Sequence, residues 1–281
     1  MILVTGAAGK TGLAVLAALR ERDAASRALV RREEQVPSAE AAGAKEAVVG
    51  NLEFEPDLIA AMRGVDALYF IPPNLHPKED EIGKAGIVAA LKSGVDRFVY
   101  HSVLFPQIES MPHHWRKLRV EEALIQSSLD FTILQPANYM QNLFAYWDTI
   151  KNEGVWRLPY APEARSTPVD LAEVAEVAAK VLTEPGYRGA IYPLAGPEVL
   201  SAIEMAAHIG RALDRAVRAE RQPLVEWEAA AKGLDAERRD TLVRMFAYYD
   251  AHDFIGNVNV LRDLLGRQPR RFGDWVTGLD R

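Results

Sequence analysis

Residues 1–12, MILVTGAAGKTG, constrain what this chain can fold into more than any other stretch. Ile2, Leu3 and Val4 form an apolar run of strand type. Gly6, Gly9 and Gly12 follow, and residues 13–22 then repeat apolar side chains at helical spacing. A strand that turns on glycines straight into a helix leaves backbone N–H groups and the positive end of a helix dipole at one spot, where an anion can sit. Gly6 suits the tight turn, Gly9 the approach of a pyrophosphate to the backbone, and Gly12 the close packing of helix on strand. Ala8, Lys10 and Thr11 complete the loop. A tight turn without ligand is the plainer reading of glycines alone. The strand before them and the helix after them are what favour a dinucleotide.

The alternation continues. Strands are expected at residues 26–32, 44–52, 65–71, 95–103 and 130–135, with helices at 56–63, 79–92 and 112–127. This is the signature of βαβ units, hence of a doubly wound parallel sheet with helices on both faces, an α/β fold of Rossmann type. Beyond about residue 136 the rhythm loosens. A polar, aromatic turn (136–142) leads into a helix with Leu143, Phe144, Tyr146 and Trp147. A short strand is expected at 155–160, a capping-box helix from Asp170, a strand at 189–194, and a helix capped by Ser201. Residues past about 220 read as mainly helical. We therefore expect a cofactor-binding core over 1–150, to which the helix and strand near 170–195 return. A smaller, mainly helical substrate lobe is expected over 151–281.

Bulk properties exclude several classes. A net charge of −6 leaves no broad basic footprint for nucleic acid or an anionic membrane. No cysteine means no disulfide, no thiolate metal site and no thiol catalysis, and no metal site is expected. Met1 runs directly into the first strand, so no leader peptide is expected, and no apolar run reaches membrane-spanning length. The expectation is a cytoplasmic protein.

The end of the second strand bears on which dinucleotide is bound. A carboxylate there accepts from the ribose 2′-OH of NAD. This chain has Arg31 and Arg32 instead, whose guanidinium forks suit the 2′-phosphate of NADP. Lys10 adds a second positive charge. NADP(H) is therefore favoured over NAD(H), against the plainer reading of a solvated arginine pair. Asn51 and Leu52 follow the third strand, where adenine is met. Ile71, Pro72 and Pro73 follow the fourth, along the middle of the cofactor.

The opening TGAAGKTG, the segment VRR, Lys117 before Val120-Glu121-Glu122, and the segment Leu134-Gln-Pro-Ala-Asn-Tyr-Met-Gln-Asn142 together resemble the NmrA-like group of atypical short-chain dehydrogenases. Thr167-Pro-Val-Asp170, Leu194-Ala-Gly-Pro-Glu198 and Gly266-Arg-Gln-Pro-Arg270 extend the resemblance over nearly the whole chain. It implies that Lys117 bonds the nicotinamide ribose and that Pro136, Asn138 and Tyr139 face the nicotinamide end. Members of the group are either NAD(P)H-dependent reductases or redox sensors that bind the dinucleotide and regulate a protein partner.

The Tyr-x-x-x-Lys pair of ordinary short-chain dehydrogenases is missing, and His113 stands at the tyrosine's spacing before Lys117. His113 or His114 can protonate an oxyanion near neutral pH; two polar residues near a helix start are an equally good reading. Ser102, after the fifth strand, is placed to orient a substrate or simply to form a turn. Lys117 otherwise reads as an exposed helix lysine paired with Glu121. Tyr139, Phe144, Trp147, Tyr248 and Tyr249 line a pocket for a flat substrate, or are core.

The sequence thus points to an NADPH-dependent reductase of a small, quinone-like or aromatic acceptor. The alternative is a non-catalytic NADP(H)-binding sensor. The missing tyrosine weakens a sugar epimerase. A homodimer or a regulatory partner is compatible with either reading.

Overall fold

The computed structural model describes residues 1–279. The chain divides into two compact units. The first comprises Met1–Gln107, His113–Gln135 and Leu171–Tyr192; the second comprises Ile108–Pro112, Pro136–Asp170 and Pro193–Arg281.

The first unit is built on β1 (Ile2–Val4), α1 (Lys10–Arg20), β2 (Ser26–Val30), α2 (Val36–Ala42) and β3 (Glu46–Val49). After these come α3 (Glu55–Ala61), β4 (Ala67–Phe70), α4 (Glu79–Ser93), β5 (Arg97–His101), α5 (Pro112–Ile125) and β6 (Asp130–Pro136). The strands lie in one sheet of order β3-β2-β1-β4-β5-β6, and every one of these pairings is parallel. A seventh strand (Ala190–Leu194) adds to the edge beside β6. Successive connections run outward from β1 in one direction and then, after β3, in the other. The order therefore reverses between β1 and β4, and in such sheets a crevice opens there at the carboxyl ends of the strands.

Apolar side chains cover the sheet on both faces. One face packs Leu3, Leu68, Phe70, Phe98 and Ile133 against Leu58 of α3, Ile82 and Ile87 of α4, and Val120 and Leu124 of α5. On the other, α1 buries Val15, Leu16 and Leu19. It packs against a helix at Leu171–Thr183 in which Val174, Val177, Ala178 and Val181 are buried. An ion pair, Arg22 to Glu184 at 2.7 Å, lies at the far end of this contact.

Besides short strands at Arg165–Ser166, Leu200–Ser201 and Arg218–Arg221 that the sequence reading did not expect, two helical segments depart from it. Helix α2 was not anticipated; it follows a 3₁₀ turn at Glu33–Gln35, carries a proline at its start, and stops on Gly43 at φ +119°. The helix expected around residues 143–147 is a 3₁₀ segment at Met140–Tyr146, and regular α-helix (α6) begins only at Trp147 and runs to Glu153.

The second unit continues with β7 (Val155–Leu158) and β8 (Arg165–Ser166). The helix Leu171–Thr183, in the first unit, and the strand Ala190–Leu194, which leaves that unit after Tyr192, are α7 and β9. The second unit then adds β10 (Leu200–Ser201), α8 (Ala202–Leu213), β11 (Arg218–Arg221) and four further helices up to Thr277. Ser201 caps α8 as its sequence implies: its hydroxyl accepts from Glu204 N at 3.2 Å while Glu204 accepts from Ser201 N at 2.8 Å. Its own core gathers Leu143, Ile150, Trp156, Ile209, Phe272 and Trp275. Among the described residues no helix is long and apolar enough to cross a membrane.

The turn between β1 and α1 is tighter than any side chain permits. Gly6 has φ +58°, in the left-handed region. At Gly12 a Cβ would stand 2.5 Å from the Gly6 carbonyl oxygen and 2.6 Å from Ala7 Cα, both backbone atoms that cannot yield. Gly12→Val should therefore destabilise the protein by about 1–3 kcal/mol or more in urea unfolding. Wild-type stability would show that the loop has slack.

Candidate active site

Beyond the last residues of β1 and β4, one side chain joins the two strands across the crevice. The Thr5 hydroxyl donates to Ile71 O at 3.0 Å and accepts from Ile71 N at 2.8 Å. A Cβ on Gly6 would lie 3.2 Å from that of Ile71, so the glycine also sets the width here. Helix α1 starts from Gly9, whose extended backbone (φ −82°, ψ 161°) brings no capping side chain, and its first turn carries no acidic residue. Its first residue is Lys10, a cation at the end of the helix that repels cations. Uncapped N–H groups, a missing carboxylate and an added lysine all fit a bound phosphate. Gly6, Gly9 and Lys10 are exposed, Ala8 and Thr11 half-buried, and Gly12 buried beneath them.

Arg31 and Arg32 stand exposed immediately past β2. Gln35 Oε1 accepts from both of their backbone N–H groups, at 3.0 and 3.1 Å, which fixes the start of the following turn. Arg32 pairs with Glu34 at 2.8 Å on the surface. Asn51 is shaped by local bonds: its N–H donates to Asp57 at 2.8 Å and its side-chain oxygen accepts from Glu53 N at 3.1 Å. Leu52 beside it is half-buried, as are Ile71 and Pro73, while Pro72 is buried.

A second cluster lies where β5, β6, α4 and α5 meet, and it is dry. Lys117 is 6% exposed, and its ammonium donates to Glu79 of α4, which is fully buried. The exposed lysine paired with Glu121 is therefore not what forms. Glu121 instead accepts from the Ser102 hydroxyl and, through both oxygens, from Gln135 Nε2 at 2.9 Å. Burial pushes both carboxyls up; Lys117 pulls Glu79 part of the way back, and the hydrogen bonds from Ser102 and Gln135 do the same for Glu121. The Ser102 hydroxyl is thus committed within the protein instead of being presented to a substrate.

The histidines differ from expectation for the same reason. His113 and His114 are buried and meet edge to face, with ring centroids 4.5 Å apart. Burial, with smaller contributions from the neighbouring imidazole and Lys117, lowers His113 to about 2, and burial lowers His114 to about 4. His114 Nδ1 donates to Phe105 O at 3.0 Å, a residue held at φ +54° in the loop after β5. His101, at the end of β5, meets the Tyr69 hydroxyl at 2.6 Å and burial lowers it to about 3. In this cluster burial therefore disfavours the imidazolium form at neutral pH, against the proton-donating role expected of His113. Glu79, Gln135 and Thr5 went unnoticed in the sequence. The acidic run Glu79-Asp80-Glu81 at a helix start was the visible signal for the first of them.

In the second unit, Pro136 ends β6, and Asn138 Nδ2 donates to Ser166 Oγ at 3.2 Å. The Asn138 side-chain oxygen is buried with no partner. Tyr139 bridges to Val169. Of the aromatic residues expected to line a pocket, Tyr249 packs into a ring cluster with Tyr160, Tyr248 and Phe254. Phe144 meets Trp275 at a tilt, ring centroids 5.7 Å apart, and stays half exposed.

Comparisons with known proteins give the chain's family and fold. The profile of the NmrA-like family matches residues 1–268. An NAD(P)H azoreductase of Xenophilus azovorans is 30% identical over 279 residues, covering 98% of this chain and 96% of its own. A (4-alkanoyl-5-oxo-2,5-dihydrofuran-3-yl)methyl phosphate reductase of Streptomyces griseus is likewise 30% identical, with 98% and 96% covered. The Escherichia coli NADPH-dependent quinone oxidoreductase, solved with NADPH, superimposes with a TM-score of 0.85 at 23% identity over 99% of both chains. At that identity the likeness is one of fold.

His113 offers a test of the dry cluster. Because its folded value lies below the ordinary 6.5, the native state resists a proton that the unfolded chain accepts. Stability from the neutral ring is complete above pH 6.5 and lost as pH falls. Wild type should thus lose up to about 1 kcal/mol per pH unit more than His113→Asn between about pH 6.5 and pH 5, in urea unfolding of both. Equal losses would mean that the ring is solvated.

Proposed function

Since the chain belongs to the NmrA-like family, we propose that its two clusters serve one reaction, the reduction of a small conjugated acceptor by NADPH. The protein is an NAD(P)H-dependent oxidoreductase with an α/β fold of Rossmann type. The observation that carries the reading is the uncapped glycine turn at the strand-order reversal, with Lys10 in its first turn and Arg31 and Arg32 exposed at the neighbouring strand end.

In this reading Gly6, Ala8, Gly9, Thr11 and Gly12 receive the pyrophosphate through backbone N–H groups, and Lys10 adds charge. Arg31 and Arg32 hold the 2′-phosphate; Arg32 leaves Glu34 to do so, at little cost for a surface pair. Asn51 and Leu52 meet adenine, and Ile71, Pro72 and Pro73 flank the middle of the cofactor. Lys117 bonds the nicotinamide ribose; Pro136, Asn138 and Tyr139 belong to the nicotinamide end. NADPH, when bound, supplies the hydride.

The acceptor is of azo, quinone or conjugated carbonyl type, classes named among the relatives. Such π systems take hydride readily, and the anion formed can be protonated by water. That suits a site whose histidines are held neutral and whose Ser102 is committed to Glu121. We retain the cytoplasmic assignment as part of this proposal.

The Arg31→Asp, Arg32→Ser double variant should bind NADPH roughly tenfold to a hundredfold more weakly, with NADH affinity nearly unchanged. Calorimetry with both nucleotides checks this, and equal loss of both would refute the 2′-phosphate assignment. Lys117→Ala should slow NADPH oxidation by a quinone at least tenfold while still folding. Unchanged turnover would confine the lysine to structure.

A further inference from the structure

Lys117 and Glu79 come from helices 38 residues apart in sequence, and each element has a local reason to deliver its group to the same point. Glu79 is in the first turn of α4, where the helix dipole favours a carboxylate. One turn further on, Gly83 faces α5: a Cβ there would collide with the methyl groups of Val120. The missing side chain lets the helices approach until the lysine meets the carboxylate in a site that is 7% exposed on one side and 0% on the other.

The other groups around Lys117 make Glu79 hard to replace. From α5 it is faced by His113, His114 and Glu121, and from β5 by His101. Glu79 itself is further faced by Arg116 of α5, by His76 in the loop before α4, and by Tyr100 of β5, which also feels Asp80. The imidazoles are neutral, and Glu121 already accepts from Ser102 and Gln135. Glu79 Oε2, by contrast, is buried and accepts nothing. A buried ammonium without a carboxylate sheds its proton. A buried ion pair also adds little net stability compared with apolar side chains of similar size. Stapling α4 to α5 is thus a weak reason for it.

We infer that Glu79 is a positioning residue for the reaction: its buried carboxylate fixes where the Lys117 ammonium stands. This rests on the assignment of Lys117 to the nicotinamide ribose made above. Glu79 touches neither cofactor nor acceptor in this account and acts only through the lysine.

The test is NADPH affinity by calorimetry, together with kcat and KM for a quinone, in wild type, Glu79→Gln, Glu79→Asp and Lys117→Ala. In Glu79→Gln the lysine loses its counter-charge, and the dissociation constant for NADPH should rise roughly tenfold. Glu79→Asp keeps the charge but draws it back by one methylene, so it should bind several-fold more weakly than wild type and more tightly than Glu79→Gln. It also keeps the inference testable if Glu79→Gln does not fold. A constant equal to wild type in either variant overturns the inference. Lys117→Ala separates the two levels: if it binds NADPH and turns over a quinone like wild type, the lysine assignment itself fails. If it is impaired while Glu79→Gln tracks wild type, only the role of Glu79 fails.

Discussion

Where the order of the sheet reverses, β1 and β4 are neighbours whose connections depart to opposite sides, and a single threonine hydroxyl holds their extensions together. Thr5 both donates to and accepts from Ile71, so the floor of the crevice is fixed by two hydrogen bonds from one atom. Gly6 turns the chain away from that point with a left-handed backbone. Gly12 brings α1 back against the turn so closely that backbone meets backbone. These contacts set where the first N–H groups of α1 aim and how near Ile71 and Pro72 pass. In the proposed reading cofactor recognition follows from this frame, and Lys10, Arg31 and Arg32 add charge at its rim.

The second cluster obeys a different rule. The ionisable side chains of this cluster on β5, α4 and α5 sit out of water, and each state is set by what it touches. Burial keeps the imidazoles neutral, Glu121 is satisfied by a hydroxyl and an amide, and Lys117 is paired with Glu79. Lys117 is thereby a cation held inside by a partner from another helix. An acceptor that needs no strong acid is the natural counterpart of such an interior.

Much of this was legible in the sequence because it is local. The glycine turn, the strand-helix alternation and the basic end of β2 are all encoded within about thirty residues, the span of a βαβ unit. The same is true of the capping box at Ser201. What the sequence concealed is long-range. Lys117 had an attractive helical neighbour in Glu121, and nothing in the spacing says that Glu121 is taken by Ser102 and Gln135 or that Glu79 arrives from α4. The histidines were placed correctly on α5 but given a proton that burial denies them. Helix α2 was missed because its seven residues carry little apolar periodicity, and only its proline start and Gly43 stop mark it. At residues 140–146 bulky side chains suggested α-helix where the backbone takes the tighter 3₁₀ path.

The measurement that bears most directly on the account is made on the wild-type protein. NADPH and NADH are titrated by calorimetry, and NADPH oxidation is then followed in the same sample with a quinone, an azo dye and an unsaturated lactone. The account predicts clear preference for NADPH and oxidation by at least one of these acceptors. Tight NADPH binding with no oxidation by any of them would contradict it, and would make the chain a binder of the dinucleotide instead of a reductase.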